Sequence, residues 1–397
     1  MRRLMQRTLI VSTALFIWIN PDIAAAQTTT SCSSSPIRTD ALDNPSKHAW
    51  AWFLTVMQPA KPITVARGEP DCSKAVGTPG TTSLWETWRL ARTEVFLEDG
   101  SEPPAWDDTS RYYGHLGAVP EDERSVHERP PQATILIDEE TRESVFQNRG
   151  GIGETRMNRS TYEFIKENCL FSFDGLSRYS KAVVDGKKPP IIFPTDSVEV
   201  KAVWIEFSPS DISKNRHLNY YTAKIDQTTY GLASFHLLTK DVPNWFWATF
   251  HHVDSPPNEF ELPDTFGRPK QLDGTIWQNY VLGGTQTDFT DPTGQPSILS
   301  DTRIEFGFLR SSCITCHASA KGHPEPRRNS DGTLARNSRG TIIASLEGPL
   351  QTTDVGLPDA ASFRKDDKMF YIQTDFLWSI PFRANEEKSP PPKRCQF

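Results

Sequence analysis

Between residues 198 and 253 the hydrophobic period is two, and this stretch constrains the fold more than any other part of the chain. Val198, Val200, Ala202 and Trp204 alternate with Glu199 and Lys201, the pattern of a strand with one apolar and one polar face. The strand then turns apolar on both sides at Val203, Ile205 and Phe207, as a central strand does. Residues 230–238 and 245–253 read as two more strands, joined by a turn at 241–244 that contains Pro243. Residues 275–282 read as another, after which Gly283-Gly284 and the stretch 292–296 interrupt the chain. The aromatic and β-branched stretch 369–382 also reads as a strand.

Two helices are expected before this region. Ser83-Leu84-Trp85-Glu86 has the form of a capping box, and Leu84, Trp88, Ala91 and Val95 recur at helical spacing as far as Asp99-Gly100. Ser160-Thr161-Tyr162-Glu163 repeats the form, with Tyr162, Ile165 and Cys169 on one face. Residues 27–80 are rich in Pro, Ser, Thr and Gly and read as irregular wrapping with a short apolar segment at 50–57; residues 100–134 read as a long loop. The 31 prolines imply short elements, and core packing is the default role for the 11 tryptophans. The expected class is α+β, a β-rich core with peripheral helices. The expected organisation is a signal peptide at 1–26, a loop-rich and helical region packing on the core at 27–195, and a β-rich region at 196–397.

Arg2, Arg3 and Arg7, the apolar run 9–19 and Ala24-Ala25-Ala26 form the three parts of an export signal. The run is short for a bilayer span, and no other span is expected once the signal is cleaved. This points to a bacterial periplasm. Three Arg and one Asp within 1–26 give that segment +2, so a chain at −7 leaves about −9 on the remainder. Such acidity argues against nucleic acid or an anionic membrane as partner and permits steering toward a basic redox partner.

Six cysteines are present. Two of them lie in Cys313-Ile314-Thr315-Cys316-His317, the C-x-x-C-H sequence that attaches c-type haem. Two thiols add across the haem vinyl groups, and the adjoining imidazole is placed to ligate the iron. A short helix started by Ser311 or Ser312 is expected to carry the motif. The alternatives are a redox dithiol, a disulfide or half of a zinc site. Zinc needs four N or S ligands, and only His323 follows nearby. The expected cofactor is therefore one covalent haem c bound by Cys313, Cys316 and His317. Cys32, Cys72, Cys169 and Cys395 remain, with three possible pairings. Cys32 and Cys395 lie near the two ends and would staple them, and Cys169 fits equally well as a buried thiol.

The group facing His317 across the iron decides between a closed electron carrier and an open reactive site. Strand alternation puts His252 with Phe246, Ala248 and Phe250, and His236 with Leu232 and Leu238. His252 is the first candidate for the distal position, with His236 and Met369 behind it. Residues 301–397 have the length of a small class I cytochrome domain, but the strand-like alternation and Pro381 after Met369 argue against the terminal helix such a domain needs.

Val200-Lys201-Ala202-Val203-Trp204, Phe235-His236-Leu237-Leu238-Thr239-Lys240, the run from Trp245 through Trp247, Thr249, Phe250 and His252 to Val253-Asp254, and Ser311-Ser312-Cys313-x-x-Cys316-His317 occur in that order. Together they resemble a group of largely uncharacterised exported bacterial monohaem proteins of the cytochrome c family, over roughly 190–382. The resemblance implies a haem and a compartment but no reaction. Members of the group usually carry Glu at the position of His251, so any shared role falls on His252 and Asp254.

Three functions are consistent with these features. The first is a periplasmic monohaem electron-transfer protein working with a redox partner protein. The second is a haem-dependent oxidase, peroxidase or dehydrogenase of a small molecule, motivated by the long segment before the motif, with His252 and Asp254 as acid–base groups over an open iron. The third is a haem-based sensor or binding module.

Overall fold

The computed structural model describes residues 32, 36–112, 114, 152–225, 227–256, 258–305, 309–322, 330–331, 355–365 and 368–397. The expected export signal at 1–26, most of the 100–134 loop, and His323 lie outside the described residues. No helix among the described residues is long and apolar enough to cross a membrane.

The fold is α+β, organised on one large antiparallel sheet. Its strands are β1 (Arg89–Leu90), β2 (Ile152–Met157), β3 (Val198–Glu206), β4 (Thr222–Ile225), β5 (Thr228–Thr239), β6 (Phe246–His252) and β7 (Tyr280–Gln286). They are ordered β1-β2-β3-β5-β6-β7, and β4 pairs with β5. Helices α1 (Asp40–Asp43), α2 (Pro45–Val56), α3 (Arg159–Glu167), α4 (Phe173–Val184), α5 (Pro209–Ser213), α6 (Cys313–Ala318) and α7 (Ser379–Arg383) lie around it. Because β2 belongs to this sheet, the expected division at 195 cuts through a hydrogen-bonded unit rather than between two regions.

Alternation gives the sheet two chemically different faces. Val200 pairs with Leu237, which pairs with Ala248; Ala202 pairs with Phe235, which pairs with Phe250. This apolar face is covered by α2, whose Phe53 ring lies 4.5 Å from Phe250 and whose Trp50 ring lies 5.1 Å from it. Trp85 closes the same face against Phe235 at 5.3 Å. The apolar segment expected at 50–57 is thus a helix, started by Pro45 in its first turn and by the Asn44 side chain accepting from Lys47 N–H.

The other face carries Glu199, Lys201, Ser234, His236, Trp247 and Thr249. It is covered by C-terminal segments. Ser379 in α7 donates to Glu199 at 2.6 Å, and the Trp247 ring lies 4.6 Å from that of His317.

Several elements differ from expectation. The helix expected from Leu84 is one 3-10 turn, Leu84–Thr87, followed by β1 and a single wide turn, Ala91–Val95. The capping box at Ser83 forms, but Arg89 leaves the helix to pair with Met157. The second helix starts two residues earlier than expected, because Asn158 accepts from Thr161 N–H. The stretch 369–382 is not a strand. It divides into short pairings at Lys368–Met369 and Ile372–Gln373 and the helix α7, broken by left-handed backbone at Asp375 and Phe376. Gly283 and Gly284 do not interrupt the chain but lie inside β7, at a register shift opposite Thr249 and Phe250.

Two disulfides form, Cys32–Cys72 and Cys169–Cys395. Of the three pairings left open by the sequence, the one joining Cys32 to Cys395 is not made, and Cys169 is bonded to Cys395 instead of standing as a buried thiol.

Candidate functional site

The C-x-x-C-H sequence forms α6, and Ser312 starts it by accepting from Thr315 N–H at 3.3 Å. Positions i, i+3 and i+4 share one face of a helix. Here that face carries Cys313, Cys316 and His317, all half-buried, while Ile314, Thr315 and Ala318 are buried behind them. The helix is held from both sides. Gln286 at the end of β7 accepts from Ile314 N–H at 3.0 Å, and Trp378 donates to Cys316 O at 2.9 Å.

Neither motif cysteine is in a disulfide, although the four others are. Desolvation, with the nearby charges of Glu305, Cys316 and Asp301, pushes the Cys313 thiol well above its ordinary pKa. A reactive dithiol needs the opposite, a depressed pKa that supplies thiolate. The redox-dithiol alternative therefore fits this environment poorly.

His317 Nδ1–H donates to the carbonyl of Phe376 at 2.8 Å. This bond fixes the tautomer, leaving Nε2 as the atom with a lone pair. Burial holds the imidazole down to a pKa of about 4, against the opposing effect of the Phe376 carbonyl, so it is neutral at physiological pH. A neutral imidazole with Nε2 available is the form that binds a metal.

Facing this helix is a buried polar group. Asp301 accepts from Ser234 Oγ at 2.8 Å and from Thr249 Oγ1 at 3.4 Å. Glu305 accepts from Asp301 N–H at 2.7 Å, and burial together with the Asp301 charge raises its pKa to about 8. His236 Nε2 lies 3.9 Å from the Glu305 carboxylate, beyond hydrogen-bond reach, and is buried with no hydrogen-bond partner among the described residues. Desolvation holds His236 well below the ordinary imidazole range, and the Lys201 ammonium lowers it further.

The expected candidates separate clearly. His252 is placed away from the motif. Its Nε2 donates to Asn219 O at 2.9 Å, its Nδ1 accepts from Asp254 N–H at 3.1 Å, and its ring stacks on Tyr220 at 3.5 Å. Both ring nitrogens are used. Asp254 faces Arg216 at 3.7 Å and accepts from Tyr220 OH at 3.2 Å at the surface. His252 and Asp254 form a structural corner, in place of the acid–base pair expected over the iron. Met369 is 60 % exposed, so it is in no position to compete with a buried imidazole. His236 is brought to the motif side, and its surroundings differ from expectation. A bulge at Ala233 sets Leu232 opposite Trp204 on the apolar face, so the neighbours of His236 are Ser234, Lys201 and Thr249.

Sequence reasoning did not anticipate Asp301, Glu305, Trp247 or Phe376 as parts of this site. Asp301 and Glu305 sit in irregular chain before the motif, where no periodicity marks them. Among the described residues no group of three or more His, Cys, Asp or Glu side chains converges to hold a metal ion directly. A haem brings four ring nitrogens of its own and asks for two thiols and an imidazole, which α6 presents together. No protein-family model, curated protein or solved structure matches the chain.

Proposed function

We propose that this chain is an exported monohaem protein of the cytochrome c kind, acting in periplasmic electron transfer. One haem c would be held covalently through Cys313 and Cys316, with His317 as the proximal iron ligand. The observation that carries this proposal is the arrangement on α6: two thiols outside any disulfide and a neutral imidazole share one face, with Nδ1 tied to Phe376 O. When bound, the haem supplies a one-electron iron centre. The protein's own part is to orient His317, to keep it neutral, and to surround it with Trp247 and the residues of the sheet. Export is supported by the sequence of residues 1–26 and by two disulfides, which form in oxidising compartments. The redox partner is a protein with a basic docking surface, given the acidity of the chain.

The test is haem-dependent peroxidase staining on a denaturing gel, after expression with haem-attachment machinery in the periplasm. The wild-type chain is expected to stain, and the Cys313→Ala, Cys316→Ala double variant to be blank. A wild-type band without stain overturns the proposal.

A second reading, a haem-dependent oxidoreductase with an open iron, is favoured by one observation. The carboxyls of buried Asp301 and partly buried Glu305 lie close enough beside the motif for the charge of one to raise the pKa of the other, and such acids near a reactive centre are suited to proton transfer. A prompt spectral shift of the ferrous protein on adding carbon monoxide would support it over a closed carrier.

A further inference from the structure

We infer that His236 is the second axial ligand of the haem proposed above, reaching it from the polar face of the sheet. The inference rests on that haem assignment and adds the identity of the group opposite His317.

The strand register places it. His236 pairs with Thr249, and Leu238 pairs with Trp247, so the side chains of His236 and Trp247 project from the same face of neighbouring strands. The Trp247 ring lies 4.6 Å from the His317 ring. Asp301, which takes hydrogen bonds from Ser234 and Thr249 on either side of His236, lies in the segment that leads into α6. The face of the sheet that carries His236 is therefore the one that meets the motif helix.

The chemistry of His236 calls for a partner. Among the described residues its buried Nε2 makes no hydrogen bond, and the Glu305 carboxylate stands 3.9 Å away. A buried imidazole nitrogen without a hydrogen bond carries a desolvation cost. Iron coordination would relieve that cost, and a neutral imidazole is the form iron binds.

Three other described histidines also have a buried ring nitrogen without a hydrogen bond, His48 Nδ1, His217 Nδ1 and His251 Nε2, but each of the four other described histidines apart from His317 has contacts of its own. His48 bonds to Asp241 at 2.9 Å, and His252 uses both nitrogens as described. His251 lies 3.1 Å from Glu261 through Nε2 and 3.1 Å from His252 O through Nδ1. His217 lies against Phe207, with ring centroids 6.4 Å apart. Two strong imidazole ligands would close the iron to small molecules and suit it to electron transfer.

The experiment uses the full-length exported holoprotein, with visible and electron paramagnetic resonance spectra of the ferric form and carbon monoxide addition to the ferrous form. The wild type is expected to be low-spin and slow to bind carbon monoxide. His236→Ala is expected to keep its covalent haem stain, turn high-spin and bind carbon monoxide promptly, with added imidazole restoring the low-spin spectrum. His236→Met retains a ligating atom if truncation prevents folding, and is expected to stay low-spin with a higher reduction potential. A high-spin wild type, an unchanged low-spin His236→Ala, or a His236→Met variant with the wild-type potential overturns the inference. Loss of haem stain from the wild type overturns the haem assignment instead.

Discussion

His317 donates its Nδ1–H to the carbonyl of Phe376 across 2.8 Å, and that carbonyl is aimed by two successive left-handed residues, Asp375 at φ 47° and Phe376 at φ 72°. Side chains other than glycine rarely adopt this backbone, and each such residue costs on the order of 1–3 kcal/mol. The turn persists because Asp375 is anchored. Its carboxylate accepts from Lys240 Nζ at 2.6 Å and from Phe193 N–H at 2.8 Å. The anchor thus reaches from the end of β5 to the orientation of the motif histidine.

Replacing Asp375 by Ala leaves the buried Lys240 ammonium without its carboxylate. Breaking such a pair costs about 3–5 kcal/mol. Urea unfolding of Asp375→Ala is expected to show a loss of that order. An unchanged midpoint would mean that the turn is held by something other than this pair.

Glu199 gives a pH dependence of defined sign. Burial raises its carboxyl to a pKa of about 7, against the opposing hydrogen bond from Ser379. The folded value lies above the unfolded one, so the folded state holds a proton that the unfolded state has released between pH 4.5 and 7. The stabilisation is complete below pH 4.5 and is lost as pH rises toward 7, by at most about 3 kcal/mol. Glu199→Gln removes this titration. Relative to the variant, the wild type is expected to lose melting temperature from pH 5 to pH 7.5. Parallel curves for the two proteins would count against a buried protonated Glu199.

The strands β3, β5 and β6 were legible because a period of two over apolar residues has few other readings, and the C-x-x-C-H helix because Ser312 and the motif spacing fix it locally. The different placement of His252 and His236 relative to the motif helix was not legible. Both alternate with apolar neighbours, and the difference lies in contacts distant in sequence: Asn219 meets His252, and the segment of Asp301 and Glu305 covers His236. The bulge at Ala233 shifts the face assignment of Leu232 relative to His236 and leaves no mark on the hydrophobic pattern. The stretch 369–382 misled for a related reason. Its aromatic residues serve a cover packed onto the sheet, where β propensity reflects packing rather than pairing.

The disulfide between Cys169 and Cys395 ties the C-terminus to the end of α3 over a separation of 226 residues. Arg178 reinforces it, donating to Cys395 O at 2.8 Å and to both oxygens of Glu387 at 3.0 and 2.7 Å. Removing a native disulfide typically costs about 2–5 kcal/mol. Cys169→Ser with Cys395→Ser is expected to lower the unfolding free energy toward the low end of that range, because the Arg178 contacts remain. The haem stain should be unaffected, since this bridge shares no residue with α6. Mass spectrometry of unreduced peptides is expected to recover Cys32 linked to Cys72 and Cys169 linked to Cys395, and a Cys32–Cys395 peptide would contradict the fold.

Gly284 permits the close approach that seats the motif helix. Its φ is 149°, and a Cβ there would fall 2.6 Å from Leu299 Cδ1 and 3.0 Å from Leu262 Cβ. Leu299 is itself the splice between β7 and α6. Its side chain is buried against Gly284, while its backbone donates to Ser311 O at 3.2 Å and accepts from Cys313 N–H at 3.3 Å. Gly284→Ala must therefore push Leu299 outward or strain β7, at a cost of about 1–3 kcal/mol, and Cys313 moves with Leu299. At Gly283 the nearest atom to an added Cβ is His251 Cδ2 at 3.1 Å, and the backbone is not left-handed. Gly283→Ala should be the milder change. Thermal melts are expected to rank wild type above Gly283→Ala above Gly284→Ala, with haem stain per mole of protein reduced only in Gly284→Ala. Equal staining in the two variants would show that Leu299 does not transmit strain from β7 to the motif.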